Sequence, residues 1–495
     1  MTNDIHEGFN LIREKVYKVT IKQQDNKQTE EQLNRHLSNR HIQLIAIGGA
    51  IGTGLFMGSG KTIHLAGSSI LLVYIIIGLM LFFVMRAMGE LLLSNLKYKS
   101  FIDFTTDLLG PMAGFYIGWT YWLCWIVTGI ADLVAIASYV QYFAPYLAPW
   151  IPAVFFVLFF LCFNLLTVKL FGELEFWFAI IKVVAIVALI IVGLGFIVYG
   201  FTTPSGIKTS LANIWNDGGF FPTGFTGFIA GFQIAVFAFV GVELVGTTAA
   251  EAHNPIKTLP RAINAIPIRI ILFYVLSLAV IMSVMPWRAI DPNQSPFIKL
   301  FTFAGIPIAA TLVNFVVLTS AASSANSGIY STSRMLFGLA LTRKAPKLFG
   351  KLSRTAVPAT GLLFSCICLL PAAIILYFNN KDIMHAFTLV TTMSTILFIF
   401  VWGLIICSYL AYRLKRPALH ASSSYKMPWG LLTSGLCLVF FAALLVALAF
   451  KEDTRLALTY SPLWFILLGI AYLSIPKSIK ANWHSLTQQE FSAED

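Results

Sequence analysis

What most constrains this chain is the way its apolar residues are blocked into runs of bilayer length. Ser69 to Met85, Ile383 to Tyr412 and Pro428 to Phe450 contain no Asp, Glu, Lys or Arg. About 20 such residues at 1.5 Å each cross the roughly 30 Å hydrocarbon core of a membrane. Backbone N–H and C=O groups in lipid must be satisfied within the segment, so runs of this length are helices. They fall at 42–63, 69–94, 112–143, 151–169, 175–199, 225–250, 262–286, 306–341, 358–378, 383–411, 429–450 and 461–476. The expected fold is an all-α integral membrane protein of about 12 transmembrane helices. A membrane domain over 41–476 is flanked by solvated tails, 1–40 and 477–495. Composition agrees, since 58% of the 495 residues are hydrophobic and 11% charged, more apolar surface than a soluble domain of this size can hide.

A net charge of +12 raises the question of nucleic acid, and the placement of the charges answers it. The basic residues lie in short loops between apolar runs, where they set topology. About 23 of the 34 Lys and Arg fall in the tails and loops of one side and about seven on the other. This bias predicts a multi-pass protein of the plasma membrane with both termini cytoplasmic. Arg343, Lys344, Lys347, Lys351 and Arg354, with Arg413, Lys415 and Arg416, contribute most. Met1 to Gln43 is polar and of mixed charge, so the first apolar run is expected to act as the insertion signal. The six cysteines all lie inside apolar runs, where cysteine behaves as a small hydrophobe and no metal or disulfide spacing arises.

Two spans are unlike the rest. The first carries Gly48-Gly49-Ala-Ile-Gly52-Thr53-Gly54, and the sixth carries Phe237-Ala-Phe239-Val-Gly241-Val-Glu243-Leu-Val-Gly246-Thr247-Thr248. Each interior glycine costs a helix about 1 kcal/mol, so clustered glycines favour local unwinding. Unwound backbone at membrane depth persists where it lines a protein cavity. Spans one and six, five apart, enter the membrane in opposite directions. Paired breaks at equivalent places in two oppositely oriented halves point to an inverted-repeat transporter with its site at the breaks. The competing reading is close helix packing through Gly48/Gly52 and Gly54/Gly58.

These residues also carry a resemblance. Asn39-Arg-His-Ile-Gln-Leu-Ile-Ala-Ile-Gly-Gly-Ala-Ile-Gly-Thr-Gly-Leu-Phe56 resembles the opening of bacterial amino acid permeases of the amino acid–polyamine–organocation superfamily. Similar matches are Gly118-Trp-Thr-Tyr-Trp122, Phe171-Gly-Glu-Leu-Glu-Phe-Trp-Phe178, Glu251-Ala-His-Asn-Pro255, Pro260-Arg-Ala-Ile263 and Ser324-Ala-Asn-Ser-Gly-Ile-Tyr-Ser-Thr-Ser-Arg334. They run in order over about 35–475. The resemblance implies a leucine-transporter-like 5+5 inverted repeat with broken helices 1 and 6, and proton symport. Leu211-Ala-Asn-Ile-Trp-Asn-Asp-Gly-Gly219 is most similar to permeases of small neutral amino acids. That implies D-serine, D-alanine and glycine as cargo. The alternatives are another neutral or aromatic amino acid, or a membrane amino acid sensor that does not transport.

An amino acid zwitterion needs donors for its carboxylate and acceptors for its ammonium. Freed N–H groups at a half-helix N-terminus suit the carboxylate, and Ile51, Gly52, Thr53 and Gly54 match the family's carboxylate-binding turn. Freed carbonyls of Ala46 and Ile47, with Phe237 and Ala238, suit the ammonium. Phe237 matches the aromatic that closes over the substrate, against the alternative of plain core packing. An ammonium at the depth of Lys182 costs several kcal/mol unless paired or neutralised, and so marks an ion or proton pathway. It also matches a lysine that replaces a sodium ion in some relatives, whereas snorkelling to the cytoplasmic surface is the rival reading. Glu243 matches an acidic position linked to proton sensing, and Asp132 lies mid-span among Trp119, Tyr121, Trp122 and Trp125. Each is a proton relay or half of a structural ion pair. Ser323, Ser324 and Asn326 complete the site near Lys182 or serve as hydroxyl glue between helices. Arg86 and Glu90, one turn apart, read as a structural pair or gate network.

Gly58-Ser-Gly60-Lys61-Thr62 tempts a phosphate-loop reading, but that motif needs glycine where Leu55 stands, and no strand precedes it. No ATP, metal, cofactor or enzyme chemistry is therefore expected. The expected partners are an amino acid, a proton and the lipid bilayer.

Overall fold

The computed structural model describes residues 51–166, 168–244, 246, 254–303, 307–378, 382–480 and 483. In chain order the helices that matter here are α1 (Thr53–Phe56), α2 (Gly58–Ala66), α3 (Ile70–Ser94), α4 (Phe101–Leu109), α5 (Pro111–Phe143) and α6 (Trp150–Asn164). They continue with α7 (Val168–Tyr199), α8 (Gly224–Ala235), α9 (Pro255–Asn264), α10 (Ser277–Val284), α11 (Pro296–Phe303) and α12 (Pro307–Leu341). The last six are α13 (Ala359–Leu369), α14 (Pro371–Phe378), α15 (Ile383–Lys415), α16 (Pro417–Ser422), α17 (Gly430–Ala449) and α18 (Glu452–Ser474). Among the described residues, nine helical segments are long and apolar enough to cross a membrane. Two shorter apolar helices, Trp150–Asn164 and Gly224–Phe239, occupy the expected fourth and sixth runs.

Local chemistry explains the boundaries. Ser100 and Asp103 form a capping box at the start of α4, and Asp382 caps α15 by accepting from the His385 N–H at 2.8 Å. Pro371 divides the expected run 358–378 into α13 and α14, because proline cannot supply the N–H that would continue the helix. The expected run 262–286 holds a π-helical stretch, Ile270–Leu276. The last helix starts at Glu452, nine residues before the expected 461. The acidic Glu452 and Asp453, which read as loop, sit in its first turn, where the helix dipole favours them.

Burial separates inner helices from outer ones. The most apolar window of α5 is 83% buried and that of α15 is 72%, whereas the windows in α7 and α18 are 22% and 17% buried. α5 packs most extensively against α12 and α15, so these three form the centre of the bundle. α7 and α18 turn most of their surface, including Val184, Ile191, Leu463 and Ile466, outward. That is the apolar face lipid requires.

Candidate functional site

The sixth run is broken where the glycines predicted. α8 passes into a 3₁₀ turn at Val236–Phe239 and stops at Val240, whose ψ is 136°. Gly241 follows with φ of 99°, a conformation that favours glycine. In the first run Gly52 is extended and uncapped by any side chain, and α1 begins at Thr53. Gly48 and Gly49, with Ala46 and Ile47, lie outside the described residues.

The start of α1 touches the break of the sixth run. A Cβ placed on Gly54 would stand 2.5 Å from the Ala238 Cα, 2.7 Å from its N and 3.0 Å from the Phe237 carbonyl carbon. The absence of a side chain at Gly54 is what lets the two backbones meet. Gly52 is different, because a Cβ there would meet the Ser324 Oγ at 3.5 Å, an ordinary contact. The Ile51 carbonyl accepts from Ser320 Oγ at 3.3 Å. The Ala238 carbonyl accepts from the Tyr274 hydroxyl at 2.9 Å, and Tyr274 also stacks on Phe239 with centroids 5.0 Å apart. One lone pair of a carbonyl assigned to the substrate ammonium is thus already engaged. Phe237 is buried and meets Phe387 edge to face at 6.0 Å.

A second constellation adjoins the breaks. Lys182 is 1% exposed on a helix that is mostly exposed. It belongs to the buried stripe Glu175, Ala179, Lys182, Ile186, Leu189 and Gly193, which has helical spacing. Its burial speaks against snorkelling. Glu175 and Asp132 both interact electrostatically with Lys182. Asp132 accepts from Thr53 Oγ1 at 2.7 Å, which ties the α5 carboxylate to the turn between the breaks. Its other oxygen, Oδ2, is buried without a hydrogen-bond partner among the described residues, and Ser324 stands beside the carboxylate. Ser323 donates to Glu175 Oε2 at 2.6 Å and Asn326 to Glu175 Oε1 at 3.1 Å. Ser323 and Ser324 therefore serve two different carboxylates. Glu175 escaped the sequence reading, although it lies seven residues from Lys182 and hence on the same helix face.

Glu243 is not part of this cluster. It accepts from the Gly241 N–H at 3.2 Å and from the Tyr121 hydroxyl at 3.4 Å, beside the Trp402 indole. Tyr121 precedes Asp132 by eleven residues, about 16 Å along α5. The aromatic residues read as surrounding Asp132 have other partners. Trp119 donates to the Lys344 carbonyl at 3.0 Å, Trp122 to Ser365 at 3.2 Å, and Trp125 packs on Phe398. Arg86 and Glu90 each bond elsewhere rather than as a simple pair. Arg86 donates to Asn264 at 3.0 Å and to the Lys426 carbonyl, and lies over the Tyr425 ring. Glu90 meets His420 at 2.5 Å and the Met427 N–H at 2.7 Å. Together they tie α3 to the segment around α16, which is a network rather than a pair. Among the described residues, no three His, Cys, Asp or Glu side chains are grouped to hold a metal.

Comparison with known proteins places these features in a family. The amino acid permease family profile matches residues 41–485. A D-serine/D-alanine/glycine transporter of Escherichia coli K12 is 62% identical over 467 residues, 94% of this chain and 99% of its own. The amino-acid permease AapA of Bacillus subtilis is 53% identical, covering 90% of this chain and 96% of its own. The aromatic amino acid transport protein AroP of E. coli is 40% identical, covering 92% and 99%. With a profile spanning nearly the whole chain and relatives this similar end to end, the protein belongs to the amino acid permease family of membrane transporters.

Proposed function

We propose that this chain imports small neutral amino acids, D-serine, D-alanine and glycine, across the bacterial inner membrane by proton symport. The reading includes twelve spans arranged as a 5+5 inverted repeat, with both termini and the basic loops in the cytoplasm. The observation that carries it is the backbone-to-backbone meeting of the two breaks at Gly54 and Ala238. Such a meeting leaves freed backbone groups at membrane depth between two halves that can rock against each other. In this reading the turn Ile51-Gly52-Thr53-Gly54 receives the substrate carboxylate, and Phe237 and Ala238 lie on the ammonium side. Ala46 and Ile47 keep the ammonium role that the resemblance implies. Lys182, Asp132, Ser323 and Ser324 serve the proton, and Glu243 acts separately, at the end of the span 6 break.

The substrate class is supported by the name of the 62%-identical E. coli transporter. A second reading, a permease for aromatic amino acids, draws on the 40% identity to AroP. Labelled glycine uptake into proteoliposomes under an imposed pH gradient, with and without sodium, tests the proposal. Saturable uptake driven by the proton gradient and competed by D-serine and D-alanine is expected. A strict sodium requirement would remove the proton reading, and efficient tryptophan uptake in place of glycine would move the protein to the aromatic group.

A further inference from the structure

Glu175 is 4% exposed, and everything that holds it lies on one path through the bundle. Ser320 on α12 donates to the Ile51 carbonyl beside the breaks. One turn further on, Ser323 holds Glu175 Oε2, and Asn326, three residues later, holds Oε1. Asn326 in turn accepts from Asn164 Nδ2 at 2.7 Å, at the last residue of α6. The next residue of that segment, Leu165, accepts from Thr355 in the loop after α12 at 3.5 Å. Going from Ser320 to Asn326 therefore leads away from the breaks. It ends at the loop that carries Arg343, Lys344, Lys347, Lys351 and Arg354.

Lys182 interacts electrostatically with two carboxylates, one toward each end of this path. Asp132 is joined to the breaks through Thr53, and Glu175 is joined to the basic end through Asn326 and Asn164. Glu175 and Lys182 are two helical turns apart on one face, about 10.5 Å along α7. The charged group facing Glu175 is Lys182, with Asp132 beyond it on α5. α12 presents to it the neutral groups of Ser323, Ser327 and Asn326, and Asn164 on α6 holds Asn326 from behind.

Resting on the proton-coupled reading above, we propose that Glu175 is the proton acceptor for Lys182 on the way out to the basic, cytoplasmic end. In the transfer an N–H bond of the Lys182 ammonium breaks and an O–H bond forms on Glu175, so that two opposite charges become two neutral groups. The proton then leaves Glu175 for water at the end of α6, and the carboxylate is restored. Asp132, on the opposite side of Lys182, belongs to the substrate-side half of the cycle. Intramembrane carboxylates and cations arranged in series are how pumps and transporters relay protons.

The test compares Glu175→Gln and Glu175→Asp in proteoliposomes, using labelled glycine. Glutamine keeps the length and one acceptor oxygen, for Asn326, and its amide N–H can donate to the Ser323 hydroxyl, but it cannot take up a proton. Aspartate is shorter but can. Glu175→Gln is expected to lose about tenfold in pH-gradient-driven accumulation, a coupling of ordinary size, while glycine counterflow, which needs no net proton, persists. Glu175→Asp is expected to recover accumulation. A Glu175→Gln protein that accumulates like the parent overturns the proposal, as does a better result with glutamine than with aspartate, since that would mark a packing role. If the glutamine protein fails to fold, the aspartate protein decides. A pH profile of accumulation displaced from the parent's supports the proposal, and an unchanged one overturns it. If the parent itself shows no proton dependence, the coupling reading fails and takes this proposal with it.

Discussion

Replacing Gly54 by alanine adds one methyl group where two backbones already meet. The new carbon would lie 2.5 Å from the Ala238 Cα, 2.7 Å from its N and 3.0 Å from the Phe237 carbonyl carbon. Carbon atoms pack comfortably at about 3.5–4.0 Å, so α1 and the break of the sixth span would have to separate by about 1 Å. No flexible side chain stands there to give way. Tyr274 pins the Ala238 carbonyl from the far side, and Gly241 holds the turn that follows. Overpacking of this kind costs about 1–3 kcal/mol, which lowers the population of the arrangement in which the two backbones meet by about 5- to 150-fold. Labelled glycine uptake, normalised to the amount of protein in the membrane fraction, reads the effect directly. Gly338→Ala on α12, outside the turn, is the control, because nothing stands within 4 Å of its added methyl. Gly52→Val, whose extra carbons reach into the turn, is expected to abolish uptake in a protein still found in the membrane. Parental uptake by Gly54→Ala would refute the reasoning, because the breaks would then be free to part without consequence.

Three further outcomes are expected. Lys182→Met and Lys182→Arg should both lose proton-driven accumulation, by about tenfold, because neither side chain can cycle a proton; concentrative uptake by Lys182→Met under a pH gradient would send the proton elsewhere, with Glu243 and Asp132 next. Tyr274→Phe removes the donor to the Ala238 carbonyl, a loss of about 1–3 kcal/mol for a buried group left unpaired. A lower Tm of the purified protein in detergent would register it, and an unchanged Tm would mean that the break does not lean on Tyr274. Glycine, alanine and serine should compete for uptake while tryptophan and arginine do not. A competition panel of D- and L-amino acids decides this.

The membrane class and the break in the sixth span were legible from residue order alone, because both depend on local properties. A run without charges must be a helix in lipid whatever surrounds it, and clustered glycines weaken a helix wherever they fall. Helix ends were less legible. Glu452 and Asp453 looked like loop residues, yet an acidic pair at a helix N-terminus lengthens the helix instead of ending it. Pro371 interrupts a span that apolarity alone reads as continuous.

The site divides in the same way. Residue order singled out Lys182, Asp132 and Glu243 because an ionisable group inside an apolar run is conspicuous by itself. What each one faces was decided by contacts between helices far apart in the chain. Lys182 could have snorkelled, and only the inward turn of its stripe on α7 buries it between Glu175 and Asp132. Glu175 read as the edge of a span until Ser323 and Asn326, about 150 residues away, closed on both its oxygens. Glu243 read, like Asp132, as a proton relay or half of an ion pair, and the length of α5 separates its Tyr121 partner from Asp132. Tyr274 left no mark in its apolar run, since a tyrosine there is unremarkable until its hydroxyl finds a carbonyl freed by a break in another span. Hydrophobic thickness and glycine propensity act along the chain, so the order of residues determined the membrane class and the place of the break in the sixth span. Hydrogen bonds and charge pairs act across space, so which buried groups share a proton, and which glycine cannot carry a methyl, was decided by the packed bundle.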